Sequence, residues 1–384
     1  MPWFDGIAAD AAGRLVATVE GARAFLPDPL PTGLSVPAST QRLLADARGE
    51  LGKLWGIGRL LRNPRLFVGP LQAREAAASS RIEGTKTTNE EALANEAVGV
   101  DPAEDRDGQE VQNYLRALAH GTASLHQGRA LNRSLLLELH RTLLDGVRGQ
   151  TAVPGRFRES QAFLGKETDT IHTARFVPPP AIHIDVCMEQ LQEYLDDRAH
   201  DDPLVRAALV HYQFETIHPF LDGNGRIGRL LVPLYLVSHG ILVKPSLYLS
   251  DFFERNRGSY YDALTRARLS GDLIHWVRFF LRGVAETSAK GRDTFGKILA
   301  LRIDVEQRIL ILGKRVPNAR AALNLLYRRP VVAASDLGRQ LDVSAPTAQA
   351  LLKDLIRLGI LTEITGQMRG RLYAFQPYLD LFIG

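Results

Sequence analysis

The hydrophobic positions of this chain recur mostly every three or four residues, the spacing that places them on one face of an α-helix. This spacing predicts helices over residues 40–61, 109–125, 133–144 and 184–194. Between Pro154 and Pro180 the pattern changes. Two apolar runs, 160–165 and 171–177, flank the polar sequence KETDT there, which predicts a β-hairpin. Residues 1 to about 40 contain several Pro and Gly residues, so they predict an extended arm.

The pattern changes again after about Thr287. Helices predicted near 319–327, 336–341 and 346–358 precede two short strands, ILTEIT and RLYAF, which the turn GQMRG joins. This order is typical of a winged helix-turn-helix. The fold is therefore predicted to be mainly α-helical, in three parts: an N-terminal arm and helical region (1–108), a helical core with the β-hairpin (109–286) and a winged helix-turn-helix domain (287–384).

Composition and charge indicate an ordinary globular protein. The chain has 384 residues, 45% hydrophobic and 23% charged, and its 47 basic and 43 acidic residues give a net charge of +4. Such a small excess does not by itself predict nucleic-acid binding. A lone cysteine, Cys187, excludes an internal disulfide and a cysteine zinc site. No signal peptide or apolar run of roughly 20 residues is evident, so a cytoplasmic protein without membrane contact is expected.

The segment HPFLDGNGRIGR, from His218 to Arg229, concentrates the candidate chemistry. Asp202 and Pro203 favour a helix start, and that helix should end at His218 because a residue before proline disfavours the α conformation. The sequence DGNG permits positive φ angles, so its N–H groups can form an anion site at the start of a helix predicted from Arg226. The two arginines, three apart on that helix, can hold phosphate together.

Asp222 adds a carboxylate of the kind that Mg²⁺ binds together with phosphate oxygens and water. Taken singly, each feature has an ordinary explanation, such as a turn, a structural histidine or solvated arginines. Their combination predicts a phosphoryl-transfer site. A zinc hydrolase fits poorly because no recognised zinc spacing relates the histidines His140, His172, His211 and His218.

This segment resembles the signature of Fic-domain proteins, HxFx(D/E)GNGRxxR, at every specified position. The resemblance extends through PGRFRES and FVPPP upstream and SDFFERNRGSYYDAL downstream, over roughly residues 110–285. It implies a mostly helical fold with one hairpin, and transfer of AMP from ATP to Ser, Thr or Tyr hydroxyls of a protein. The target protein is unknown, and the chain itself is one candidate.

The resemblance implies roles for the charged and titratable residues. His218 would accept the proton of the target hydroxyl as a general base, which suits an imidazole near neutral pH. Asp222 would hold Mg²⁺ bridging the α- and β-phosphates. Arg226 would neutralise charge on the departing pyrophosphate, and Arg229 would hold the γ-phosphate.

The remaining implied contacts are to the nucleotide and the target. Gly223, Asn224 and Gly225 would cradle the α- and β-phosphates. Asn256, in FERNRG, matches the family position near the adenine, and its alternative is a polar residue on a helix surface. The predicted hairpin would be a flap whose exposed edge aligns a target strand, or it would simply pack on the core.

A second short pattern precedes the core. Residues 71–82 are alanine-rich and predict a helix capped by Gly84, which places the Glu83 carboxylate at the negative end of the helix dipole. The sequence SSRIEG resembles the inhibitory motif (S/T)xxxE(G/N) of many Fic proteins, with Ser79 and Glu83 in the matching positions. The resemblance implies the class with an N-terminal inhibitory helix, in which Glu83 pairs with Arg229 and removes the cation that the γ-phosphate needs.

The predicted recognition helix of the C-terminal domain begins after Ser344 and carries Lys353 and Arg357. Arg369 and Arg371 lie in the predicted wing. Because few basic residues lie on this helix, binding to DNA and binding to a protein partner remain equal alternatives.

Three functions are compatible with the sequence. The first is an autoinhibited protein adenylyltransferase. The second is removal of AMP from a modified protein, with Glu83 orienting a water molecule. The third is a nucleotide-sensing DNA-binding regulator. The intact His218 and Asp222 favour catalysis, and a homodimer is a further expectation that the sequence leaves open.

Overall fold

The computed structural model describes residues 7–60, 65–85, 106–147, 153–166, 168–197, 201–242, 245–366 and 370–382. Most of them are helical, as the hydrophobic spacing predicts. The helices that precede the signature segment are α1 (Ala38–Leu60), α2 (Arg65–Ile82), α3 (Arg106–His126), α4 (Arg133–Leu143) and α5 (Ile184–Asp196). Each helix predicted from the spacing corresponds to one of these, and α2 contains the predicted inhibitory segment.

The signature segment lies between α6 (Pro203–Ile217) and α7 (Asn224–Ser238), which pack on each other. Every residue of α6 after Pro203 is buried, because this helix is apolar on nearly all sides and runs through the core. Its start is the predicted one, since the Asp202 carboxylate accepts the N–H of Leu204 at 2.7 Å. The two helices therefore fix the position of the segment that joins them.

Three further helices complete the core: α8 (Ser250–Arg255), α9 (Arg257–Ser270) and α10 (Leu273–Ile309). Helix α1 packs along α10, and α2 packs on α8. Near the start of α10 the buried indole of Trp276 donates to the carbonyl of Ala208 at 2.7 Å, which ties α10 to α6. Among the residues described, none of the helices combines the length and apolar character needed to cross a bilayer.

The N-terminal arm contains a β-hairpin that the sequence did not predict. Strands β1 (Gly13–Ala17) and β2 (Arg23–Pro27) pair antiparallel. Phe25 is fully buried, and its N–H donates to the carbonyl of Val177 at 2.9 Å. The strands are only five residues long, and the neighbouring Gly and Pro residues hide their pattern. The prediction of an extended arm is corrected to a hairpin docked on the core.

The predicted flap, residues 160–177, reverses direction at the predicted place but has little strand pairing. Its described residues contain one isolated antiparallel bridge, between Leu164 and Phe176, with hydrogen bonds of 2.7 and 3.0 Å. The two predicted strands are therefore reduced to this bridge.

Local hydrogen bonds near the tip of the flap explain the short pairing. The Asp169 carboxylate accepts the N–H of Lys166 at 2.6 Å, and the Thr173 hydroxyl accepts the N–H of Thr170 at 2.8 Å. Such side-chain bonds compete with a strand ladder for the backbone groups. The flap thus keeps an irregular edge.

The C-terminal part contains the predicted helices and short strands in the predicted order, with two additions. The helices are α11 (Val316–Leu326), α12 (Ala334–Leu341), α13 (Ala345–Arg357) and α14 (Gln376–Leu379). The strands are β3 (Val331–Ala333), β4 (Thr362–Glu363) and β5 (Leu372–Ala374), in the antiparallel order β3-β5-β4. Strand β3 and helix α14 were not predicted. Ser344 caps α13 as expected, and Arg369 of the predicted wing lies outside the described residues. The winged helix-turn-helix assignment stays a prediction.

Both predicted domain boundaries fall inside helices. The division between residues 108 and 109 lies within α3, and the division between 286 and 287 lies within α10. Helix α10 is continuous over 37 residues, so it joins the core to the C-terminal part without a loop at the predicted position. The division into three domains stays a prediction.

Candidate active site

His218 ends α6 in a left-handed conformation, with φ 51° and ψ 60°. The following Pro219 disfavours the right-handed α conformation here, so the chain leaves the helix at this residue as predicted. A left-handed conformation costs free energy in a residue other than glycine, and the surrounding contacts must hold it. Burial lowers the pKa of the imidazole to about 3, and the nearby Arg158 guanidinium acts in the same direction. The ring is therefore neutral at pH 7 with a lone pair to accept a proton, but with Glu83 in place it is a weaker base than the imidazole near neutral pH that the sequence predicts.

Helix α7 begins at Asn224, two residues earlier than predicted, directly after Gly223 with φ 78°. The Asn224 side chain closes the loop, since its oxygen accepts the N–H of Phe220 and its amide donates to the Phe220 carbonyl, both at 2.8 Å. The first N–H groups of α7, including that of Gly225, have no acceptor within the helix. The predicted anion site is thus the N-terminus of a buried helix.

Asp222 lies at the edge of this anion site. Its side chain is 43% exposed, and its Oδ1 accepts the N–H of Gly223 at 2.6 Å and lies 3.7 Å from Arg226 Nη2. In the part of the chain that the structure describes, no group of three or more His, Cys, Asp or Glu residues is arranged to hold a metal ion. One accessible carboxylate fits Mg²⁺, which needs few protein ligands when phosphate oxygens and water complete its shell.

Arg226 pairs with a glutamate, Glu110, that the sequence pattern does not indicate. Its Nη1 donates to Glu110 on α3 at 3.1 Å, and both side chains are at least 96% buried, with exposures of 3% and 4%. Its buried Nε has no hydrogen-bond partner among the described residues. The guanidinium is thus fixed in orientation and keeps a donor for an anionic ligand.

Arg229 pairs with both residues of the predicted inhibitory motif. Its Nη2 donates to Glu83 Oε1 at 2.5 Å and to the Ser79 carbonyl at 2.9 Å, and its Nε donates to the Ser79 hydroxyl at 2.9 Å. A Cβ atom placed on Gly225 would lie 2.1 Å from Glu83 Oε1. The carboxylate therefore rests against the N-terminus of α7. Although desolvation opposes ionisation, Arg229 lowers the pKa of Glu83, which stays charged.

Helix α2, which carries Ser79 and ends one residue before Glu83, is fixed to α8 by charged and polar contacts. Burial raises the pKa of the Glu75 carboxyl to about 7, and this group accepts the N–H of Ser250 at 2.9 Å and its hydroxyl at 2.5 Å. Arg81 forms a bidentate pair with Glu254 at 2.7 and 2.8 Å. These contacts determine where Glu83 lies.

Arg74 adds a contact between α2 and the C-terminal end of the chain. It donates to Asp251 at 2.9 Å and to the carbonyl of Phe382 at 2.8 Å. Three separate parts of the chain therefore meet at this helix face.

Arg158, in the sequence PGRFRES, connects the flap to His218. It donates from Nε to the His218 carbonyl at 2.9 Å, from Nη1 to the Ser160 carbonyl at 3.0 Å and from Nη2 to the Pro179 carbonyl at 2.6 Å. Ser160 and Pro179 lie at the two ends of the flap. The buried Arg158 guanidinium thus links His218 to both ends of the flap. The spacing of residues in the sequence could not reveal this link.

Two family models match this chain. The Fic/DOC family covers residues 130–236, which include the flap and the whole signature, and the Fic/DOC family N-terminal region covers residues 41–123, which include the inhibitory motif. This chain contains a Fic/DOC domain. Two observations therefore identify the Fic core: the signature from His218 to Arg229 and the regions that the family models match.

Curated relatives share part of this Fic chain. The protein adenylyltransferase Fic of Drosophila willistoni is 31% identical over 201 residues, 51% of this chain and 35% of the relative. The protein adenylyltransferase fic-1 of Caenorhabditis elegans is 34% identical over 146 residues, 38% of this chain and 25% of the relative. The chain spans about a third of the length of the Drosophila relative.

A solved structure shares the fold. The crystal structure of a Fic family protein from Desulfovibrio desulfuricans G20 superposes with a TM-score of 0.58 and 22% identity, over 90% of this chain and 98% of that one. The mainly helical Fic fold predicted from the sequence is confirmed.

Asn256 is the implied nucleotide contact with the least support in the Fic core. It lies at the junction of α8 and α9, half-buried, and its amide donates to the carbonyl of Phe252 at 2.9 Å. It is therefore a residue between two helices and not one on an open helix surface. Its contact with adenine stays a prediction.

Proposed function

We propose that this chain is a protein adenylyltransferase that transfers AMP from ATP to a Ser, Thr or Tyr hydroxyl of a protein. The observation that carries the proposal is the placement of a neutral His218 beside an anion site with two fixed guanidiniums, those of Arg226 and Arg229. A base, a phosphate site and cations are the parts that nucleotidyl transfer needs. The names of the curated relatives support the same activity.

In this reaction the hydroxyl oxygen of the target attacks the α-phosphorus of ATP while its proton passes to the imidazole of His218. The bond to the β-phosphate oxygen breaks, and pyrophosphate leaves. The N–H groups at the start of α7 and Arg226 would face the charge that develops on the phosphates. Asp222 would hold Mg²⁺, which would supply neutralisation of the phosphate charge.

We further propose that Glu83 inhibits this activity. Its carboxylate lies against Gly225 and takes hydrogen bonds from Arg229, so it holds the place and the cation that the γ-phosphate would need. A polyphosphate with its own negative charge cannot share that place with an ionised carboxylate. Productive ATP binding therefore requires Glu83 to move.

Mass spectrometry and incorporation of α-labelled ATP test both proposals. With ATP and Mg²⁺, the Glu83→Gly variant is expected to gain the mass of AMP and far more label than wild type, and His218→Ala in that background is expected to gain none. A matched control removes an exposed carboxylate elsewhere, Glu189→Ala on α5. Equal labelling of the Glu83→Gly variant and wild type would refute the inhibition by Glu83. Labelling that persists in the His218→Ala variant would refute the role of His218 as the general base.

Removal of AMP is a second candidate, because burial lowers the pKa of His218 while the charge of Glu83 partly opposes that lowering, so the two groups interact and Glu83 could orient a water molecule beside the ring. Incubating AMP-modified protein with the wild-type chain separates AMP transfer from AMP removal: release of AMP that depends on Glu83 supports hydrolysis.

DNA binding by the C-terminal part gains no support from the described residues, since Arg357 on α13 pairs with Asp354 at 3.3 Å. Filter binding at several salt concentrations tests that prediction.

A further inference from the structure

His140 lies beneath the signature loop without exposure to solvent. It belongs to α4, and its ring stacks on Phe220 with centroids 3.7 Å apart and planes within 5°. Both ring nitrogens have partners: the N–H of Gly155 donates to Nδ1 at 2.9 Å, and Nε2 lies 2.9 Å from the carbonyl oxygen of Asp222. The ring therefore has no nitrogen left for a metal ion.

These partners determine the tautomer. Because Gly155 donates to Nδ1, that nitrogen carries no hydrogen, and the proton of the ring is on Nε2. The Nε2–H group must then donate to the Asp222 carbonyl. The direction of this hydrogen bond follows from the backbone donor on the opposite side of the ring.

The bond to the Asp222 carbonyl fixes more than one atom. The peptide between Asp222 and Gly223 is planar, so holding its carbonyl also sets the direction of the Gly223 N–H. That N–H donates to Oδ1 of the Asp222 carboxylate at 2.6 Å. His140 thus controls the carboxylate through a backbone group that it touches directly.

The space above the ring supports the same conclusion. A Cβ atom on Gly223, whose φ is 78°, would lie 3.4 Å from both His140 Nε2 and Leu143 Cδ2. These are ordinary van der Waals distances, so only one carbon atom would fit between the loop and α4, and the hydrogen bond from His140 to the Asp222 carbonyl would transmit a shift of the ring to the loop backbone.

We propose that His140 is a positioning residue for Asp222: its Nε2–H holds the Asp222–Gly223 peptide so that the carboxylate can take Mg²⁺ together with the nucleotide. This inference rests on the proposed function, since it concerns the same site. His140 itself touches neither substrate nor metal. Groups that orient a metal ligand commonly change metal affinity about 10–100-fold when they are removed.

Two substitutions separate this role from simple packing. A glutamine amide reaches the position of Nε2 and can still donate to the Asp222 carbonyl, whereas an asparagine amide reaches the position of Nδ1 and cannot. The variants His140→Gln and His140→Asn are made in the Glu83→Gly chain, in which the anion site is open. Binding of an ATP analogue with a methylene between the α- and β-phosphates is measured by calorimetry with and without Mg²⁺.

We expect His140→Asn to lose about 10–100-fold of the affinity that Mg²⁺ adds, with Mg²⁺-free binding unchanged, and His140→Gln to stay within a few-fold of its parent. Equal losses in both variants, or an equal loss without Mg²⁺, would overturn the inference. Absence of Mg²⁺-dependent binding in the parent would overturn it together with the proposed function. If the asparagine variant does not fold, ¹⁵N NMR of the histidine rings in the parent decides: a proton on Nδ1 of His140 overturns the inference.

Discussion

The contact between Arg81 and Glu254 tests how strongly the docking of α2 on α8 supports the proposed inhibition by Glu83. The two side chains form a bidentate pair at 2.7 and 2.8 Å and are 26% and 28% exposed, and Arg81 lies two residues before Glu83 in the chain. Arg81→Ala removes this pair without touching Arg229 or the anion site. It therefore weakens the docking of α2 on α8 and leaves the proposed chemistry intact.

The size of the effect follows from the geometry. A bidentate pair that is mostly but not fully buried stabilises by about 1 kcal/mol, between the values for exposed and for buried charge-assisted bonds. If the helix is docked in nearly all molecules, 1 kcal/mol raises the undocked fraction about fivefold. We expect Arg81→Ala to raise self-modification by about that factor.

Label incorporation from α-labelled ATP, measured as an initial rate, tests this expectation. The double variant Arg81→Ala/Glu83→Gly should be no faster than Glu83→Gly alone, because the docking matters only through Glu83. The matched control is Arg129→Ala, which breaks a bidentate pair with Glu138 at 2.9 and 2.8 Å, away from α2. The reasoning would be refuted if the rates of label incorporation gained in the two single variants added up in the double variant. It would also be refuted if the control variant gained as much rate as Arg81→Ala.

Three further predictions concern the core. Glu110→Gln removes the nearer, buried carboxylate of Arg226 and leaves only the half-exposed Asp222 at 3.7 Å, so it should lower the free energy of unfolding by about 3 kcal/mol, measured by urea denaturation; an unchanged midpoint contradicts the pairing. Arg158→Gln should lower the rate of self-modification in the Glu83→Gly chain more than it lowers ATP affinity, because it frees both flap ends; a loss confined to ATP affinity speaks against this role. The pKa of His218, about 3 in the folded chain, lies below its unfolded value, so the unfolded state binds more protons and stability falls as pH drops below about 6.5. Between pH 7 and 5, wild type should lose about 2 kcal/mol more than His218→Ala in urea denaturation, and equal losses would show that His218 is not buried as a neutral ring.

The site could be predicted from the sequence to the extent that it depends on neighbouring residues. The end of α6 at His218 follows from Pro219, and its start follows from Asp202 and Pro203. The pairing of Glu83 with Arg229 was a different case. It was implied by resemblance to a known motif, since nothing in the local sequence relates two residues 146 positions apart.

What the sequence determined by itself was the helical spacing, both ends of α6 and the turn that follows it, because backbone preferences and caps act over a few residues. Only the tertiary structure decided that Glu110 holds Arg226, that His140 holds the Asp222 carbonyl and that Arg158 joins the flap to His218. Each of these contacts joins residues at least 60 positions apart. Packing of whole helices selects such partners, so a buried polar group is matched only when distant parts of the chain meet.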